Sequence, residues 1–263
     1  MRYGLAGRAA LVTGASKGIG LAIAQALAHE GVDLAICARG APALEEAAQG
    51  LRALGVRVVA VPADVSDPAA IGRFVTAAVD AFGRVDILVN NAVTSSQDTF
   101  DGLSDEAFRQ HIDVKLLGYI RCVRAALPHL RASGRGRIVN VAGMTARIVS
   151  DHRMTNGVVN AGVTNFSKHL AQQVGRDGIT VNAIHPGYTW TPRLRSVLER
   201  GAQLGGTTFE SVLAARSAEI PIGRLIQPED LAALAVFLCS DLAAAITGQA
   251  IAVDGGSGQS IPY

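Results

Sequence analysis

The stretch Ala9-Ala10-Leu11-Val12-Thr13-Gly14-Ala15-Ser16-Lys17-Gly18-Ile19-Gly20 decides the fold. Its first four residues are apolar without alternation, as in a parallel strand covered on both faces. A turn holding Gly14, Gly18 and Gly20 follows, and 18–30 then carries apolar residues at helical spacing. Working outward, strand-like apolar runs recur at 32–37, 56–61, 87–89, 137–141, 180–184 and 250–253, the sixth of the seven being more mixed. Helical patterns occupy 18–30, 43–54, 68–82, 104–130, 156–174 and 228–239. Ser104, with Ala107 one turn on, is placed to cap the fourth, and Pro68 and Pro228 stand where first-turn prolines belong. Seven strands alternating with six helices, with no Pro/Ser-rich linker and no fixed-period repeat, predict one α/β domain spanning 1–263. Its centre is a doubly wound seven-stranded parallel sheet with right-handed crossovers. The one long irregular stretch, about 186–223, reads as a substrate lid with a short helix or two.

Composition agrees. Of 263 residues 49% are hydrophobic and only 17% charged, against about 25% charged in a typical domain. That excludes a disordered chain and leaves apolar surface for a core and for subunit contacts. A net charge of +2, without clustered basic residues, gives no reason to expect nucleic acid or an anionic membrane as partner. Cys37, Cys122 and Cys239 are far apart, with neither disulfide nor metal-ligand spacing, so buried free thiols and no metal are expected. The apolar stretch 231–246 is broken by Ser240 and Asp241 and is too short to span a bilayer. Residues 1–10 lack the apolar core of a signal peptide. The expectation is a soluble cytoplasmic protein.

A glycine-rich turn between strand and helix lets backbone N–H groups approach a pyrophosphate, and the helix N-terminus adds its positive end. The turn therefore predicts a dinucleotide, and the fold becomes Rossmann-type. At the end of the second strand an acidic residue would take the adenosine 2′-hydroxyl of NAD, whereas a cation suits the 2′-phosphate of NADP. That strand ends in Arg39, and Lys17 lies inside the turn. Together they favour NADP(H) over NAD(H).

With these motifs in place the chain resembles the short-chain dehydrogenase/reductase superfamily, close to its 3-oxoacyl-carrier-protein reductase-like branch. The likeness runs almost end to end: the turn at 13–20, Asp64-Val65, Asn90-Asn91-Ala92, Pro186-Gly187 with Thr191, Pro221-Ile222-Gly223-Arg224, Pro228-Glu229-Asp230-Leu231 and Val253-Asp254-Gly255-Gly256. It implies a cofactor site built from Gly14, Ser16, Lys17, Gly18, Ile19, Gly20, Arg39, Asp64, Val65, Asn91, Ala92, Pro186, Gly187 and Thr191.

The likeness also implies a catalytic set: a Tyr as acid or base, a Lys four residues later, a Ser after the fifth strand and an Asn in the preceding helix. Here all four positions depart. Alignment through Phe166-Ser167-Lys168 puts Asn160 at the Lys position, Asn156 at the Tyr position, Gly143 at the Ser position and Lys115 at the Asn position. No Tyr lies between 135 and 175 to restore the pattern, because the four tyrosines are Tyr3, Tyr119, Tyr188 and Tyr263. A carboxamide neither gains nor loses a proton near neutral pH, so the ordinary ketoreductase mechanism is not available. Asn and Lys look exchanged, which would bring the Lys115 ammonium near the nicotinamide ribose while Asn160 supplies a hydrogen bond.

Further polar candidates are His152, an acid or base that would share a helix face with Asn156 were the helix to extend back that far, and Asp151, Arg153, Thr145, Thr94-Ser95-Ser96 and His185. Tyr188 and Trp190 begin the lid and are candidates for substrate contact.

Three functions stay open. One is an NADP(H)-dependent oxidoreductase acting on a small carbonyl, enone or imine without the usual Tyr, Lys and Ser. Another is a non-redox enzyme of lyase or hydratase type on the same fold. The third is a catalytically silent cofactor-binding subunit. A homo-oligomer, dimer or tetramer, is what the resemblance implies for assembly.

Overall fold

β1 (Ala9–Thr13) is buried along its whole length, and α1 (Gly18–His29) follows the glycine turn directly. The computed structural model describes residues 3–94 and 96–258, and the chain continues as an alternation of strand and helix. The remaining strands are β2 (Asp33–Ala38), β3 (Val58–Pro62), β4 (Ile87–Asn90), β5 (Arg137–Val141), β6 (Thr180–Pro186) and β7 (Ala250–Val253). They form one sheet in the order β3-β2-β1-β4-β5-β6-β7 with every pair parallel. The order reverses between β1 and β4, which opens a crevice at their carboxyl ends, where α/β sheets of this kind take ligands. The expected Rossmann-type sheet is what the chain forms.

The helices are α2 (Ala41–Arg52), α3 (Pro68–Phe82), α4 (Asp105–His111), α5 (Gly118–Ser133), α6 (Met154–Val174), α7 (Pro192–Leu204), α8 (Phe209–Ala218) and α9 (Pro228–Cys239). Local chemistry sets their ends. Asp67 accepts from the Ala69 N–H at 2.8 Å to cap α3, whose C-cap Gly83 sits at φ +72°. Ser104 accepts from the Ala107 N–H at 3.2 Å, and Pro68 and Pro228 occupy first turns, all as expected. One apolar cluster (Leu27, Leu34, Ile36, Val139, Leu231, Leu238) buries one face of the sheet. A second (Leu11, Phe74, Leu88, Ile138, Val181) buries the other, which explains why the strands read as unbroken apolar runs.

Three expectations are corrected. The pattern over 104–130 is not one helix: α4 gives way to a π-helical stretch, Ile112–Leu117, before α5 begins. Wider turns of this kind recur at functional sites, and here the stretch carries Lys115, buried. α2 and β3 are displaced by about two residues from the ranges 43–54 and 56–61, since Gly55 at φ +89° closes the turn and pairing with β2 begins at Leu34 opposite Val58. α6 starts at Met154, so His152 precedes it in a turn. In the region 186–223, Leu194 and Leu198 of α7 cluster with Phe209, Val212 and Leu213 of α8 and with Tyr188 and Trp190. The three cysteines are free and buried, and burial raises the Cys37 and Cys239 thiols to about 12.

Candidate active site

The glycine turn is anchored from behind. The Thr13 hydroxyl accepts from the backbone N–H of Asn91 (2.9 Å) and of Ala92 (3.1 Å), and the Asn91 amide donates to the Gly14 carbonyl at 3.0 Å. Gly14 lies at φ +66°, and a Cβ there would stand 2.9 Å from the Ala92 Cα. A Cβ on Gly20 would be 2.4 Å from the Gly14 oxygen. Side chains are thus excluded where β1 and β4 converge, and the backbone of the turn is left bare to a ligand.

In front of the turn runs a groove of about 490 Å³. Gly14, Ser16, Lys17, Gly18, Ile19, Arg39, Asp64, Val65, Asn91, Ala92 and Thr191 all line it. Gly20 does not; it serves the close packing behind. Pro186 and Gly187 line the adjoining cavity. Lys17 and Arg39 are exposed, and among the described residues neither is ion-paired. Burial works against the Asp64 charge, yet hydrogen bonds from the Ser66 N–H and hydroxyl and the charge of Arg39 hold its carboxyl below the usual range. Bare turn, helix N-terminus and two free cations fit a dinucleotide phosphate backbone.

Ile19, Asn91, Val93, Thr191 and Arg193 are shared with a second cavity of about 230 Å³ that continues the groove inward. Lys115, Gly143, Asn156 and Asn160 meet there, with Thr145. The π-helical stretch turns Lys115 inward, where Nζ donates to the Ala142 carbonyl at 2.8 Å. Burial, and then the charge of Arg193, lower its ammonium from 10.5 to about 7. Asn160 Nδ2 donates to the Thr145 hydroxyl at 2.8 Å. A Cβ on residue 143 would stand 2.6 Å from that same Nδ2, so the Asn160 amide fills the space a side chain at Gly143 would need. Asn156 Oδ1 and Asn160 Oδ1 are buried without a partner among the described residues, and such acceptors call for a donor from water or ligand.

The other candidates divide. Thr145, Arg153 and Tyr188 line the cavity. His152 and Asp151 are exposed and line neither cavity, so His152 is withdrawn as an acid or base: it precedes α6 and shares no helix face with Asn156. His185 is structural. Thr164 donates its hydroxyl proton to the Asn160 carbonyl (2.7 Å), so His185 Nε2 must donate to Thr164 Oγ1 at 3.0 Å. Burial, with Arg147 and Lys115, lowers His185 to about 4 and keeps it neutral. Trp190 packs against Phe209 with ring centroids 6.3 Å apart, inside the 186–223 region rather than in the cavity. Thr94 lines neither cavity, the Ser96 carbonyl accepts from Thr155, and Ser95 and Tyr263 lie outside the described residues.

Arg193 is the residue that sequence reading missed. It faces both cavities, and its signal was present as a cation two residues after Thr191, within the region 186–223. His111, four residues before Lys115 and buried with both ring nitrogens unpartnered among the described residues, was missed too. Burial and then Lys115 lower it to about 4.

Comparison with known proteins agrees with this geometry. Residues 14–258 match the family model described as enoyl-(acyl carrier protein) reductase. Oxidoreductase UcpA of Escherichia coli K12 is 38% identical over 254 residues, covering 96% of this chain and 95% of that protein. L-Sorbose reductase from Gluconobacter frateurii, solved with NADPH and L-sorbose, superposes with a TM-score of 0.96 at 36% identity over 99% of this chain and all of that one. A variant of actinorhodin polyketide ketoreductase, solved with NADPH, gives 0.92 at 36% identity, covering 96% of this chain and 98% of that one. Sheet order, glycine turn and end-to-end similarity agree, and the chain belongs to the short-chain dehydrogenase/reductase superfamily.

Proposed function

We propose that the protein is an NADP(H)-dependent oxidoreductase that reduces a small carbonyl, enone or imine with Lys115 in place of the family's Tyr and Lys. The observation that carries this reading is the buried Lys115 ammonium, which lines the inner cavity that adjoins the dinucleotide groove. A nicotinamide cofactor held by Gly14, Lys17, Arg39, Pro186 and Gly187 would supply a hydride. Lys17 and Arg39 are suited to a 2′-phosphate, and the NADPH complexes of the structural relatives support the same choice. Lys115 Nζ has three donors and gives one to Ala142. The others can meet the oxygen or nitrogen on which negative charge develops, and a group that titrates near neutrality both holds and releases a proton there. Asn160 and Asn156 offer acceptor oxygens to orient the substrate.

A second reading, lyase-type chemistry through addition of the neutral Lys115 amine to a carbonyl, is favoured by the same lowered pKa. The decisive experiment is titration with NADPH and NADH, then a turnover screen over ketones, enones and imines, with borohydride trapping in parallel. NADPH binding and consumption support the reductase. Binding of neither nucleotide overturns it, and a trapped Lys115 adduct without redox turnover supports the lyase. The whole chain is read as a single domain with 186–223 as its lid. Self-assembly as a dimer or tetramer is supported by exposed Leu117 and Val158 on the segments that carry Lys115 and Asn160. A reducing, cytoplasmic setting is supported by the three free thiols.

A further inference from the structure

Every charged side chain lining the inner cavity is a cation: Lys115, Arg153 and Arg193, with no carboxylate among the lining residues. Among the described residues neither the Arg153 nor the Arg193 guanidinium has a hydrogen-bond or ion-pair partner. Their neighbours do: Arg147 donates to the Ala250 carbonyl at 2.7 Å, and Arg216 pairs with Glu219 at 2.5 Å. The unmatched charges act on one another. After burial, Arg153 is what lowers the pKa of Arg193, and Arg193 that of Lys115. Like charges gathered in a partly desolvated cavity are unfavourable until an anion joins them.

A dinucleotide accounts for only part of this excess. Arg193 also lines the groove and can face the cofactor's phosphates. Arg153 lines the inner cavity alone. Its guanidinium lies 5.9 Å over the Tyr188 ring, a contact that orients a planar fork, and its N–H groups are unused. At about 230 Å³ the cavity is compact beside ligand sites of roughly 300–1,000 Å³.

We infer that the substrate is a small carboxylic acid whose carboxylate is held by Arg153 beside Tyr188, with its reactive carbon turned toward Lys115. The carboxylate site stands on the cavity's charge alone; only the orientation of the reactive carbon rests on the proposed reductase reading.

Calorimetric titration of acetoacetate, levulinate and benzoylformate, each against its methyl ester and with and without saturating NADP⁺, tests the inference. At least one acid should bind about tenfold or more tightly than its ester, as a charge-assisted bidentate contact provides. Arg153→Gln should erase that preference and Arg153→Lys restore part of it, while the NADPH affinity of both variants reports that the groove is intact. Equal binding of acid and ester in all three pairs overturns the inference, as does binding of none of them or a preference that survives in Arg153→Gln. The two readings fail separately. Acids that outbind their esters without any NADPH oxidation defeat the reductase and leave the carboxylate site. Esters bound and turned over as well as acids do the reverse.

Discussion

Replacing Lys115 by Met should make the protein more stable at neutral pH, by an amount that the structure sets. The folded state holds the ammonium at about 7 rather than 10.5. At about 1.4 kcal/mol per pH unit this is a burden of about 5 kcal/mol on the charged form. The sign follows from proton counts. Below pH 7 both states carry the proton and the folded state bears the whole burden. Between 7 and 10.5 the unfolded state binds more protons than the folded one, so stability rises with pH and the burden fades. Met has a similar length and no charge, but it leaves the Ala142 carbonyl without the donor now 2.8 Å away, a loss of about 1–3 kcal/mol. The net gain at pH 6–7 is about 2–4 kcal/mol, falling toward zero or below by pH 9–10. Urea denaturation of both proteins at pH 6, 7.5 and 9 reads it directly. A Met variant less stable than the parent at pH 6, or a difference that does not shrink as pH rises, refutes the view of Lys115 as a charge held against its environment. The same variant should lose turnover, which separates an active-site lysine from one retained for packing.

Three further outcomes follow from the site. Arg39→Asp should cut NADPH affinity relative to NADH by about tenfold or more, the worth of charge-assisted bonds of about 1.5–3 kcal/mol to a 2′-phosphate; fluorescence titration with the two nucleotides reads the ratio. Gly143→Ser should destabilise by about 1–3 kcal/mol, because its Cβ arrives 2.6 Å from Asn160 Nδ2; the midpoint should recover at least half of that loss in Gly143→Ser/Asn160→Ala, as coupled neighbours do. His152→Ala should leave stability within about 0.5 kcal/mol and turnover unaltered, since this exposed side chain lines neither cavity.

The parts legible in the sequence are those fixed by local chemistry. Unbroken apolar runs marked the strands because both faces of the sheet are covered, and Ser104, Pro68 and Pro228 marked helix starts because capping and ring geometry act within one turn. The glycine turn was legible for the same reason, although Gly20 proved to be there for the approach of Gly14 and Asn91 and not to line the groove. What stayed hidden depends on contacts between segments distant in sequence. No periodicity reveals a π-helical stretch at Ile112–Leu117, yet that stretch is what carries Lys115 into the cavity. The start of α6 at Met154, two residues before the apolar pattern begins, still leaves His152 outside the helix, which no local signal announced. Arg193 is an exposed cation, and only the tertiary fold shows that two cavities meet beside it.

On the proposed reading, three of the four positions that depart from the family pattern fit together. Loss of a catalytic group by drift would leave an unfilled space or an unpaired partner at each site independently. Here Asn160 occupies the volume that Gly143 vacates, and Thr145 holds its amide. In the proposed reading, the charge that the family resemblance expects at position 160 is supplied by Lys115, which a wider helical turn and the Ala142 carbonyl receive. Gly143 and Asn160 are accommodated by one another and Lys115 by the Ala142 carbonyl, whereas Asn156 keeps a buried acceptor without a partner among the described residues, and the groove beside them keeps its bare turn and its two free cations. A site that had only lost activity would have no reason to keep a buried ammonium that costs about 5 kcal/mol of folding free energy. Reverting Gly143 alone should therefore damage the fold, whereas Lys115→Asn/Gly143→Ser/Asn156→Tyr/Asn160→Lys should fold and acquire the ordinary ketoreductase chemistry, read as NADPH oxidation by simple ketones. If the single reversion is tolerated and the fourfold one does not fold, the four positions are independent and the case for a coordinated replacement fails.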